Sequence, residues 1–289
     1  VNMADRNRPC PCMSGLKYKK CCYLRESILK HIPCQTYVES YALQDLLVNS
    51  PEFKAFYDSE RPKIRRNIIW ANDPELGSNI RATYLPKPQE HLIAFRTLPI
   101  TVDDAFDTAH ELQHFICSEE GYPSVSNSAI LMQTSSNLAQ ALSCSLNDPA
   151  ANKRLLPFGF DLWAEYDKAS SREKNYFKSS AEPSAPTEKL YHTAFYISKA
   201  LNWEVCCLSS PRDNNEFLEW YDTEHPDFSK EARESLALVK KIGYETPEKA
   251  TAAFTELIAR SELEKSLKVT AYPVSDQDLK NNTPTSNSM

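Results

Sequence analysis

Apolar positions along this chain follow two rhythms, and the changes between them mark the expected elements. A helical spacing runs through residues 36–48, where Tyr37, Tyr41, Leu43, Leu46 and Leu47 supply the apolar positions. Short β-like runs follow: Ile68-Ile69-Trp70 within 64–71, then two more candidates at 80–85 and 91–95, separated by Pro86 and Pro88. Such runs predict strands. The helical spacing returns after Pro99, where Val102, Ala105, Phe106, Ala109, Leu112, Phe115 and Ile116 share one face. Thr101 and Asp104 predict a capping box at the start of that helix, and Gly121 a left-handed cap at its end.

Beyond Gly121 the rhythm stays helical. Helices are expected over residues 127–146, 149–156, 161–177, 188–208, 229–242 and 247–263, with Asp148-Pro149 starting the second of them. A polar stretch rich in Pro and Ser over 178–187 reads as a loop, and the residues from about 271 onward as a polar tail. The fold class expected is α+β and predominantly helical. It has a small antiparallel sheet before the helix of residues 101–120 and a helical C-terminal part. With 289 residues and 41% apolar content, the chain can bury a sizeable core.

The central helix carries the candidate chemistry. His110-Glu111-Leu112-Gln113-His114 is an HExxH sequence, and a four-residue spacing stacks both imidazoles on one helical face. Two such histidines can hold one zinc ion, and the intervening glutamate can take a proton from water. His110 and His114 fall at the margin of the apolar face, on a stripe with Asp103, Asp107 and Cys117. A catalytic zinc needs a third protein ligand. A resemblance to gluzincins, whose third ligand is an acid on a later helix tens of residues downstream, implies Asp148, and Glu119, Glu120, Glu165, His192 and Glu204 are alternatives. Cys117 is a further thiol on the stripe, and His192 with Tyr191 or Tyr196 a possible oxyanion donor. The motif and its flanking helix resemble the zincin-like superfamily. That resemblance implies peptide hydrolysis, with zinc on His110 and His114, Glu111 as general base, and an edge strand able to pair with an extended substrate.

The N-terminus carries a second candidate metal centre. Cys10, Cys12, Cys21 and Cys22 form a Cys-x-Cys pair and a Cys-Cys pair, and four thiolates can close a tetrahedral cage around zinc. Neighbouring cysteines make poor disulfides with each other, and Lys17, Lys19 and Lys20 offset thiolate charge. The segment Pro9-Cys10-Pro11-Cys12-Met13-Ser14-Gly15-Leu16-Lys17-Tyr18-Lys19-Lys20-Cys21-Cys22 closely resembles the SEC-C motif, with Met13 and Leu16 departing from its usual residues. The resemblance implies a structural Zn2+ and docking to a partner protein or a ribosomal surface. Cys34, Cys144, Cys206 and Cys207 are expected to pack as small apolar residues.

These readings divide the chain into a zinc-binding module (1–30), a zincin-like α+β domain (31–265) and a tail (266–289). The net charge of −6 argues against a nucleic-acid-binding surface. No apolar run reaches the roughly 18 residues a membrane span needs, and no secretory signal is visible, so a cytoplasmic protein is expected. Two functions fit: a zinc metallopeptidase using one catalytic and one structural Zn2+ on a protein or peptide substrate, or an inactive zincin scaffold serving as an adaptor through its SEC-C module.

Overall fold

The computed structural model describes residues 35–76, 79–85, 90–97, 99–127, 136–178 and 182–271. They fall into two compact units, one closing at Ile116 and the other opening at Cys117. Helix predominates. No helix among the described residues is long and apolar enough to cross a membrane.

The first unit opens with β1 (Gln35–Tyr37), followed by α1 (Glu39–Ala42), α2 (Gln44–Asn49) and α3 (Pro51–Glu60). The helix expected from residue 36 therefore begins after a strand. β2 (Ile68–Asn72), β3 (Ile80–Leu85) and β4 (Glu90–Phe95) form where the apolar runs predicted them. Their pairing differs from expectation. The sheet order is β1-β2-β4-β3, and β2 and β4 run parallel, so the sheet is mixed rather than antiparallel. β4 inserts between β2 and β3, which leaves β3 on an edge. Residues 68–71 and 91–95 are buried without interruption, the pattern of strands covered on both faces.

α4 (Ala105–Glu120) holds the HExxH sequence. A 3-10 turn at Val102–Asp104 precedes it, with the predicted capping box between Thr101 and Asp104. Leu112, Phe115 and Ile116 are buried, and the Phe115 ring stacks on His91 of β4 with centroids 4.0 Å apart. The helix ends in a Schellman motif. Gly121 has φ 96°, its N–H donates to the Ser118 carbonyl, and the Tyr122 N–H donates to that of Cys117. Because a side chain strains this left-handed backbone, Gly121→Ala is expected to cost about 1–2 kcal/mol of stability. An unchanged midpoint in urea unfolding would contradict that assignment.

The second unit contains β5 (Pro123–Asn127), α5 (Ser136–Leu155), α6 (Leu162–Phe177), α7 (Pro186–Ser209), α8 (Glu216–Glu224), α9 (Pro226–Ile242), α10 (Pro247–Arg260) and β6 (Leu267–Ala271). α5 corrects a sequence expectation: it runs through Pro149, so Asp148 caps no new helix. The reason lies in its buried row. Leu138, Leu142, Leu146 and Ala150 follow one another at i+4 in a single core on both sides of the proline. Burying that row offsets the roughly 3 kcal/mol that an interior proline costs. β6, placed by sequence largely in the tail, pairs antiparallel with β5 and sets Val269 opposite Val125. A second core is aromatic, built from Phe177, Tyr196, Phe217, Tyr221 and Phe228.

Candidate metal centre

α4 sets His110 and His114 one turn apart, and their rings meet edge to face at 87° with centroids 4.5 Å apart. Their Nε2 atoms approach to 2.9 Å. That is a hydrogen-bond distance, and it is close to the roughly 3.3 Å between two nitrogens on one tetrahedral zinc. Phe106, a turn earlier, stacks on His110 at 5.8 Å. Between the histidines, Gln113 is fully buried and its Nε2 donates to Glu60 Oε2 on α3 at 3.4 Å. Burial pushes the Glu60 carboxyl up, but Lys63, Ser59 and Gln113 hydrogen-bond to it and bring it below its ordinary value. The charged form of Glu60 is thereby available as an acceptor for the HExxH helix.

Glu111 points to the edge of the sheet, where its Oε2 accepts the Ala82 main-chain N–H at 3.0 Å. Asp148, the sequence candidate for a third donor, lies on α5 in the second unit. Two imidazole nitrogens on one helical face suit zinc, and a catalytic zinc takes three protein donors.

The other sequence candidates for that donor also lie in the second unit. Glu119 is buried, Glu120 pairs with Arg154 at 2.6 Å, Glu165 pairs with Lys168 at 3.3 Å, and Glu204 pairs with Lys240. His192 lies in the aromatic core with its Nδ1 2.5 Å from the Tyr221 hydroxyl. Burial, reinforced by His225, pulls its imidazole down to about 4. The Tyr196 hydroxyl donates to Asp222. The Cys117 thiol is buried, and burial pushes it up to about 12. Cys206 is likewise buried, whereas Cys144 and Cys207 are only partly so.

Sequence reading missed the anchors of the helix. Gln113, a polar residue set among buried positions, was a usable signal for the Glu60 contact. Ala82 acts through its main chain and left no signal. Cys10, Cys12, Cys21, Cys22 and Cys34 lie outside the described residues. No curated protein and no solved structure matches the chain. A family model does match part of it: residues 6–24 fit the SEC-C motif, which often binds metal.

Proposed function

We propose that this chain is a zinc-dependent peptidase of the HExxH type, with an N-terminal SEC-C module that docks it to a partner or substrate. The observation carrying the reading is the approach of the His110 and His114 Nε2 atoms to 2.9 Å on one face of α4, with Glu111 between them in sequence. His110, His114 and Asp148 would hold the metal. When bound there, zinc supplies a Lewis acid for the scissile carbonyl and makes a water molecule more acidic. Glu111 takes the proton from the attacking water and passes it to the leaving amine. β3, as an edge strand, offers main-chain groups to an extended peptide. The thiols of Cys10, Cys12, Cys21 and Cys22 would form a closed structural cage with no position for substrate.

Metal analysis of the full chain tests the assignment. About two zinc ions per chain are expected, one surviving replacement of the four N-terminal cysteines by serine and the other surviving His110→Ala with His114→Ala. Asp148→Ala is expected to weaken the HExxH site without affecting the cysteine site. If the cysteine variant returns no zinc, the HExxH centre and the peptidase reading fall together.

A further inference from the structure

Among the described residues β3 pairs with β4 alone, so one of its main-chain edges faces away from the sheet. The register shows which residues use that edge. Arg96 N–H donates to the Asn79 carbonyl at 2.8 Å, and Ile80, Arg81 and Ala82 stand opposite Phe95, Ala94 and Ile93. Antiparallel pairs alternate between bonded and non-bonded types, so Ile80, Ala82 and Tyr84 turn their main-chain groups outward. The outward N–H of Ala82 is the one that meets Glu111 Oε2 at 3.0 Å.

We propose that Ala82 is a positioning residue for Glu111, acting through its main-chain N–H. The inference rests on the hydrolytic reading above. A glutamate on a helix has three freely chosen side-chain torsions, and a general base works only within hydrogen-bond reach of its proton. The Ala82 N–H is fixed by the strand, and by tying one carboxylate oxygen it selects one rotamer and presents the other oxygen in a constant direction. The edge strand then acts on the chemistry directly: its Ala82 donor orients the base.

Proline at position 82 removes the donor at small structural cost, because an outward N–H on an edge strand contributes no ladder bond. Ala82→Gly keeps the donor. A proteome-derived peptide library read by mass spectrometry identifies a cleaved peptide, on which the full-length variants are compared. Ala82→Pro is expected to lower kcat about tenfold or more, with KM and bound zinc unchanged, while Ala82→Gly keeps the wild-type kcat. Exchange of the Ala82 amide with solvent deuterium should also accelerate in Glu111→Ala, a readout independent of turnover.

An unchanged kcat in Ala82→Pro, or an unchanged exchange rate in Glu111→Ala, overturns the positioning role and leaves the peptidase reading standing. Loss of zinc from Ala82→Pro overturns it as well, by showing a structural effect. A zinc-loaded wild-type chain that cleaves no member of the library removes the hydrolytic reading and this proposal together.

Discussion

Glu111→Gln is expected to keep its zinc and to lose turnover by a factor of about 10²–10⁴, the usual contribution of a positioned general base. Glutamine has nearly the shape of glutamate, and its amide oxygen can still accept the Ala82 N–H that Glu111 Oε2 accepts at 3.0 Å. The contact between α4 and β3 therefore survives, and the residues proposed as metal donors, His110, His114 and Asp148, keep their side chains. What disappears is the basic oxygen. Because that oxygen acts on water in the transition state, kcat and kcat/KM should fall together, with KM nearly constant. Steady-state kinetics with metal content measured on the same sample separates the outcomes. Equal zinc with turnover within threefold of wild type (roughly 0.6 kcal/mol) would assign the proton transfer to another group.

The part of this site that could be read from sequence is the part fixed by local rules. Capping by Thr101 and Asp104, helical spacing from Ala105 to Ile116 and the left-handed stop at Gly121 all depend on neighbours within a few residues. The HExxH stripe follows directly from that helix. Asp148 was picked out as a ligand candidate by the resemblance to gluzincins, yet its backbone setting was misjudged. The Asp-Pro signal for a new helix is local, whereas the buried row Leu138, Leu142, Leu146 and Ala150 that carries α5 through Pro149 draws its strength from tertiary packing.

Strand pairing was less legible for the same reason. β2, β3 and β4 stood out as apolar runs, but insertion of β4 between the other two is decided by contacts that no single window contains. β5 offered still less, since Pro-Ser-Val-Ser-Asn has one large apolar side chain and pairs with β6 from the far end of the described chain. A two-stranded ribbon of this kind is marginal alone. Val125 and Leu267 belong to the same buried core as α5 and α10, which is what keeps the ribbon in place.

Glu173→Ala is expected to be the most destabilising single change in the helical unit, at about 3–5 kcal/mol. Lys199 on α7 is almost fully buried, with 6% of its side chain exposed, and its Nζ lies 2.9 Å from Glu173 Oε2 on α6. The Tyr166 and Phe217 rings lie 5.1 Å and 5.5 Å from that nitrogen. Burial holds Lys199 below its ordinary value and Glu173 above its own, in each case against the pull of the partner. Desolvation thus outweighs attraction on both sides, so the pair contributes little net stability while each member depends on the other. Removing Glu173 strands an ammonium among aromatic rings. Replacing both residues together with methionine removes both charges at similar volume, and that double variant should unfold within about 1 kcal/mol of the wild type or above it. Urea denaturation of the two variants decides the point. If the double variant is as damaged as Glu173→Ala, the ion pair itself holds α6 against α7, and the burial argument fails.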